Sequence, residues 1–161
     1  MSPDSSTYRL NLSPENFTLV PGGQLVAFVS RALHASGLAS ELAESLAGLL
    51  VDNDLRGVHS HGTRLAASYA SDIVDGRLNG RPDVSVSRET PISLVVDGDG
   101  GPGYFAMLEG TRRAIAKAEA GGIAVMQTRN HGHIGAAGIY TRMGIAHNLL
   151  TFVAGGHRID L

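Results

Sequence analysis

The stretch Arg56-Gly-Val-His-Ser-His-Gly-Thr-Arg64 brings two histidines, a hydroxyl and two guanidinium groups together between glycines. It separates two strongly helical patterns, so a rigid scaffold can hold it while its backbone aims the side chains. Histidine exchanges a proton near neutral pH, and arginine can hold a carboxylate. The stretch therefore predicts a reaction site, with a merely polar connection as the alternative.

The sequence on both sides of this stretch is mainly helical. Apolar side chains recur at i, i+3, i+4 and i+7, which predicts three amphipathic helices. Ser40 is the predicted N-cap of the second helix, which delivers the chain to Asp54, and Gly37 and Gly76 lie where the first and third helices would end. The three apolar stripes are Leu25, Phe28, Val29, Ala32 and Leu33, then Leu42, Leu46, Leu49 and Leu50, then Leu65, Tyr69 and Ile73.

The pattern changes at the turn Gly80-Arg-Pro-Asp83, which is the best internal boundary. Alternation at Val84 and Val86 and the β-favouring runs that follow predict strands, with helices between and after them. The chain is thus predicted to be α/β, a helical segment followed by a mixed sheet region. The later elements are strands at 92–96 and 123–127, helices at 104–118 and 139–146, and an apolar run at 149–153.

The segment Gly98-Asp-Gly-Gly-Pro-Gly103 matches the pattern G-x-G-x-x-G between a strand and a helix. A Rossmann fingerprint also needs an acidic residue at the end of the next strand, and the strand that runs to Arg129 has none. Pro102 removes an amide that a pyrophosphate would use. We therefore interpret the segment as a tight structural turn rather than a dinucleotide-binding loop.

Composition excludes several classes of protein. The chain has 161 residues, 43% of them hydrophobic, which suits one ordinary globular core. A net charge of −2 gives no general attraction to nucleic acid or anionic membrane. There is no cysteine, which excludes disulfides and thiolate metal sites. We expect a cytoplasmic protein with neither a membrane span nor a signal peptide.

A second site candidate follows in Arg129-Asn-His-Gly-His-Ile-Gly-Ala-Ala-Gly-Ile-Tyr140. The segment joins a predicted strand to a predicted helix through small residues, and backbone amides at such a helix start suit a phosphate. Tyr140 and Tyr69 are interpreted as core aromatics rather than catalytic acids.

Together the two segments resemble the malate/L-lactate dehydrogenase family of NAD(P)-dependent 2-hydroxyacid oxidoreductases. The family pattern is an aspartate-rich helix end, Arg-Gly, Ser-His-Gly with a nearby arginine and tyrosine, and an Asn-x-x-His-x-Gly turn. Those elements stand here as Asp52, Asp54, Arg56-Gly57, Ser60-His61-Gly62, Arg64, Tyr69 and Asn130 to Gly135.

The resemblance implies a non-Rossmann fold and a hydride transfer between NAD or NADP and a small 2-hydroxy or 2-keto acid. It assigns acid–base catalysis to His61, with Ser60 in the hydrogen-bond relay around that histidine. It assigns to Arg64 the binding of the substrate carboxylate. Many relatives have two residues between Ser-His-Gly and that arginine, whereas this chain has only Thr63. On a helix, a shift of one residue turns the direction of the side chain by about 100°. The cofactor would bind at the turn His133, Ile134, Gly135, Ala136 and Ala137.

Members of that family are longer, and this chain stops where their second half would begin. We therefore expect a truncated member with a flexible tail at 1–19, a helical segment at 20–80 that carries the Ser-His-Gly site, and an incomplete cofactor-binding region at 81–161. The longer form is expected to be a homodimer. The chain alone is expected to bind cofactor weakly, to be a poor enzyme and to self-associate through its apolar runs.

Two alternatives remain open at the level of sequence. The pairs His59/His61 and His131/His133 could serve a metal-dependent hydrolase if alternate residues of an extended segment pointed to one side. The chain could also be a noncatalytic remnant that binds a partner. The resemblance explains His61 and His133 without a metal, so we predict no metal site.

Overall fold

The computed structural model describes residues 18–155, which form two compact units that divide between Gly80 and Arg81. The first unit contains helices α1 (Gly22–Ala35), α2 (Ser40–Leu55) and α3 (Ala66–Val74). Two short 3-10 turns, His59–His61 and Thr63–Leu65, lie between α2 and α3. Residues 1–17 of the predicted tail lie outside the described range.

Packing of α1 against α2 makes the core of the first unit. Leu33, Leu46 and Leu50 are fully buried there, as the periodicity predicted. Each such leucine stabilises the fold by about 1.5–3 kcal/mol relative to an exposed one. Tyr69 on α3 is also buried, which agrees with its interpretation as a core aromatic. The reactive stretch thus follows a helix that is anchored along its buried face.

The start of α2 differs from the prediction. Ser40 is the first residue of the helix, and Ala39 occupies the N-cap position without a side-chain cap bond. The backbone explains the shift: the Ala39 N–H donates to the Gly80 carbonyl at 2.9 Å, and the Ala39 carbonyl accepts from the Ala43 N–H at 2.8 Å. The N-cap assignment of Ser40 is therefore wrong.

The second unit contains a three-stranded mixed sheet with helices α4 (Gly103–Gly121) and α5 (Gly138–Ile145). Strand β2 (Ser93–Asp97) pairs antiparallel with β1 (Ser85–Glu89) and parallel with β3 (Val125–Arg129). Leu94 and Val96 of β2 form its core with Ala106 of α4. The predicted α/β class, helices first and a mixed sheet after them, is confirmed. Within residues 18–155 no helix is both long and apolar enough to cross a bilayer.

One predicted strand is corrected, and one apolar run is found outside the sheet. The strand placed at 123–127 begins at Val125, because Gly122 ends α4 in a left-handed conformation (φ 81°) and Ile123 and Ala124 make the connection. The apolar run at 149–153 forms no strand, and Leu150 and Phe152 are exposed. A strand needs a neighbour for its hydrogen-bond ladder, and no described strand pairs with this run.

Candidate active site

The Ser-His-Gly segment is tied to the end of α2. Gly57 leaves the helix in a left-handed conformation (φ 73°), and the Val58 N–H then donates back to the Asn53 carbonyl at 2.8 Å. His59, Ser60 and His61 follow in a 3-10 turn, each of them half-buried. The segment therefore begins at a fixed point of the scaffold.

The side chains of Asn53 and Asp54 hold the middle of the segment. The fully buried Asn53 donates from Nδ2 to the His61 carbonyl at 2.9 Å. Asp54 Oδ2 accepts from the Thr63 N–H at 2.9 Å and from the Thr63 hydroxyl at 2.6 Å. These bonds hold the backbone on both sides of Gly62.

Gly62 is required by space rather than by conformation. It is buried with φ −91°, a value that any residue can adopt, but a Cβ built on it would overlap the Asp54 carboxylate. The glycine of Ser-His-Gly therefore lets the loop pack directly onto Asp54.

Ser60 and His61 form a hydrogen-bonded pair, with Oγ 2.8 Å from Nδ1. The bond orients the imidazole, and an imidazole oriented in this way can exchange a proton with a bound molecule. The structure thus brings the two predicted catalytic residues together.

His59 has a different partner from His61. Its Nδ1 lies 3.3 Å from Asp54 Oδ1, on the carboxylate that also holds Thr63. The extended geometry on which the metal alternative depended is wrong, because His59–His61 is a 3-10 turn. With about three residues in each turn, side chains two apart point in different directions. Among residues 18–155 no three His, Asp or Glu side chains group as a metal site.

The two arginines of the segment differ in environment. Arg56 pairs with Asp52 through a bond of 2.7 Å, and hydrogen bonding to that carboxylate raises the pKa of Arg56. Arg64 lies exposed on the second 3-10 turn, directly after the anchored Thr63. Its backbone is therefore fixed while its guanidinium faces outward.

In the second unit, the segment after β3 packs onto the glycine-rich turn before α4. Four backbone bonds of 2.8 to 3.1 Å join them, from Gly98, Gly100 and Gly103 to the 129–133 segment and from Gly132 back to Gly101. A Cβ on Gly98 would lie 2.7 Å from the Cβ of His131. Close packing accounts for Gly98, Gly101 and Gly103, and Gly100 adopts a left-handed conformation (φ 70°), as expected of a structural turn.

Asn130 and Asp97 fix the start of this segment. Asn130 adopts a left-handed conformation (φ 52°) and donates from Nδ2 to Asp97 Oδ1 at 2.8 Å. The Asp99 N–H donates to the same oxygen at 3.0 Å, and Arg129 pairs with Oδ2 at 2.9 Å. These contacts lower the pKa of Asp97, most strongly through the Asp99 N–H, next through the Asn130 amide and then through Arg129.

The proposed cofactor turn, residues 133–137, is anchored by two buried tyrosines. Gly135 (φ 73°) packs onto the Tyr104 ring, where a Cβ would overlap the aromatic atoms. Tyr140, fully buried, donates its hydroxyl to the Ile134 carbonyl. Ala136 and Ala137 then lead into α5 at Gly138 with no bulky side chain. A small-residue helix start of this kind is compatible with a nucleotide phosphate.

Sequence reasoning missed the roles of Asp54 and His131. Asp54 lies in the last turn of α2, where the helix dipole disfavours an acidic group, and that position is the signal that could have singled it out. His131 bridges its own turn, with Nδ1 2.7 Å from the Gly132 carbonyl and Nε2 2.8 Å from the Thr128 hydroxyl. No local pattern predicts those contacts.

Comparison with known proteins connects these sites to one family. The malate/L-lactate dehydrogenase family model matches residues 20–156. The malate dehydrogenase of Pyrococcus horikoshii is 37% identical over 136 residues, which is 84% of this chain and 38% of that protein. Its solved structure superposes with a TM-score of 0.78 and covers 83% of this chain.

Other relatives carry different names. The L-sulfolactate dehydrogenase of Methanocaldococcus jannaschii is 34% identical over 71% of this chain and 33% of its own length. The NAD(+) ureidoglycolate dehydrogenase of Escherichia coli K12 is 32% identical over the same shares. The chain spans about 38% of the length of the first of these relatives.

Proposed function

Because the chain belongs to the malate/L-lactate dehydrogenase family, we propose that it carries the acid–base part of a 2-hydroxyacid oxidoreductase site. The observation that carries the proposal is the Ser60–His61 hydrogen bond of 2.8 Å, within a segment held by Asn53 and Asp54. The names of the relatives suggest malate, sulfolactate or ureidoglycolate, each with its oxidised 2-oxo acid partner, as candidate substrates.

His61 is proposed to protonate the carbonyl oxygen of the keto acid during reduction and to accept that proton during oxidation. Ser60 holds the ring in position and extends the path for the proton. Positioned proton transfer of this kind contributes about 10² to 10⁴ in rate. A bound nicotinamide supplies or accepts the hydride at the carbon that bears the oxygen.

Arg64 is proposed to bind the substrate carboxylate. A guanidinium can make two parallel hydrogen bonds to a carboxylate, which fixes its orientation as well as its position. The exposure of Arg64 and the anchoring of Thr63 before it support this role, because the charge is accessible while its backbone is held. Arg56 is less suitable for binding the substrate carboxylate, because its guanidinium already pairs with Asp52.

The turn from His133 to Ala137 is proposed to hold NAD or NADP. Ile134 and Gly135 are kept in place by Tyr140 and Tyr104, so the backbone of the turn is preformed. Ala136 and Ala137 leave room for a nucleotide at the start of α5. A homodimer and a cytoplasmic location belong to the same proposal.

The test is whether the purified chain reduces 2-keto acids. The reaction is monitored by the loss of nicotinamide absorbance, once with NADH and once with NADPH. Oxaloacetate and pyruvate are the first substrates to compare. We expect His61→Asn to lower kcat/KM more than tenfold, a change of about 1.4 kcal/mol or more.

The matched control is His34→Asn, because His34 is an exposed histidine of α1 whose ring bonds to the nearby Leu38 carbonyl. It should keep the parental rate. Retention of more than about a tenth of kcat/KM in His61→Asn would remove the acid–base role of His61.

A further inference from the structure

We propose that Asp54 is a positioning residue for the Ser60–His61 pair, which it holds by binding the residues on either side of that pair. The inference rests on the proposed function, because it takes His61 as the acid–base group. The carboxylate of Asp54 bonds to Thr63 and His59, so it acts on the pair through the backbone and through these two neighbours.

The place of Asp54 on its helix needs an explanation other than helix stability. The last turn of α2 has no basic side chain, and a carboxylate there faces the negative end of the helix dipole. Nearby, Asp52 is neutralised by Arg56, whereas the Asp54 carboxylate binds the Ser-His-Gly loop. Its role therefore lies in what it binds.

Both carboxylate oxygens of Asp54 are used, and their partners flank the pair. Oδ2 accepts two bonds from Thr63, at 2.9 Å from the amide and 2.6 Å from the hydroxyl. Oδ1 lies 3.3 Å from His59 Nδ1. Since His59 precedes the pair and Thr63 follows Gly62, one side chain restrains the loop from both ends.

Two further features make the restraint tight. Gly62 presses its backbone against the Asp54 carboxylate, with no room for a Cβ. The neighbouring Asn53, fully buried, holds the His61 carbonyl at 2.9 Å. Without Asp54 the loop would keep its two bonds to Asn53 but would lose its contacts at His59 and Thr63 and could shift there. A displacement of about 1 Å at a reacting group can lower a rate on the order of 10²-fold.

The first experiment compares Asp54→Ala with Asp54→Asn in the whole chain. We expect Asp54→Ala to lower kcat on the order of 10- to 100-fold because the loop that carries His61 moves, and to raise KM as well, because the release of Thr63 also frees the backbone beside Arg64. Asp54→Asn should recover much of kcat, since its amide oxygen can still accept from Thr63. The control is Asp72→Asn, which breaks an exposed ion pair with Arg77 in the same unit and should leave kcat unchanged.

The second measurement does not depend on activity. Hydrogen exchange of the Thr63 amide should speed up at least about tenfold in Asp54→Ala, as expected when a hydrogen bond to a charged acceptor is lost. The imidazole ¹⁵N resonances of His61 should shift in the same variant and stay in place in Asp72→Asn. If the unaltered chain reduces no keto acid, the proposed function fails, while these spectra still decide the positioning role.

Thr63 provides a milder pair of variants in case Asp54→Ala does not fold. Thr63→Val removes the hydroxyl that Asp54 binds at 2.6 Å and keeps the shape, whereas Thr63→Ser retains the hydroxyl. We expect the His61 resonances to shift in Thr63→Val and to return in Thr63→Ser. Unmoved His61 resonances in Thr63→Val, or a kcat within about twofold of the parent in a folded Asp54→Ala protein, would overturn the inference.

Discussion

Gly62→Ala tests the packing of the Ser-His-Gly loop on Asp54. The new methyl group would occupy the position of the Asp54 carboxylate, although the backbone of Gly62 (φ −91°) suits alanine. Either the loop or Asp54 has to move, and the two bonds from Thr63 to Oδ2 are lost or lengthened. The substitution therefore removes the anchor without straining the backbone.

The expected loss of stability follows from these contacts. Overpacking costs about 1–3 kcal/mol, and a hydrogen bond to a charged group contributes about 1.5–3 kcal/mol. Part of this loss is offset because the displaced carboxylate is hydrated again. Alanine also lowers the conformational entropy of the unfolded chain, which stabilises the folded state by about 0.4–1 kcal/mol. We expect a net loss of about 2–3 kcal/mol.

Urea denaturation followed by far-UV circular dichroism measures this loss for Gly62→Ala and two control variants. Gly48 lies within α2, and an added methyl group there would meet open space, so Gly48→Ala should stabilise the chain by about 1 kcal/mol. Gly57 also has open space but needs φ 73°, so Gly57→Ala should cost about 1–2 kcal/mol from the backbone alone.

The Asp54→Ala background supplies the decisive comparison. With the carboxylate gone, the added cost of Gly62→Ala should fall by more than about 1 kcal/mol, as a direct contact requires in a double-mutant cycle. A Gly62→Ala protein within about 0.5 kcal/mol of its parent, or a cost that is equal in both backgrounds, would refute the reasoning.

Two other predictions concern charge and metal. Asp97 has a lowered pKa, so its contribution to stability is fully present above its ordinary pKa of 3.8 and is lost as the pH falls through the lower folded pKa. In thermal unfolding between pH 2.5 and 6, the difference in Tm between the parent and Asp97→Asn should narrow only below about pH 4, and the exposed Asp83→Asn is the control. A Tm difference that is constant with pH would contradict the role of the Asp97 cluster. Purified and dialysed protein should contain zinc far below one ion per chain, because His59 and His61 have separate partners; stoichiometric zinc that disappears in His59→Asn would contradict this account.

The helices were predictable because their apolar side chains keep a regular period over several turns. Leu33 and Leu46 are buried where the stripes of α1 and α2 placed them, and β2 and α4 follow their patterns in the second unit. The residues of both candidate sites were named from their order and chemistry, and the structure shows the Ser60–His61 hydrogen bond, while the roles of these residues stay predictions.

What the sequence did not show depends on contacts between residues far apart in the chain. Ala39 takes the cap position of α2 because the Gly80 carbonyl holds its amide, so Ser40 lost that role. The 149–153 run is as apolar as a strand, but a strand also requires a partner. The anchoring of Thr63 by Asp54 likewise depends on how the loop folds back, which no periodicity reveals.

The most direct test of the central claim is transfer of deuterium to a 2-keto acid from NADH that carries deuterium in both C4 positions, with the protein in excess over cofactor. Mass spectrometry of the 2-hydroxy acid product detects even slow turnover. The account predicts product one mass unit heavier, with the label at C2, from oxaloacetate or pyruvate, and a more than tenfold lower yield with His61→Asn. Unlabelled product only, or equal labelling with His61→Asn, would contradict it.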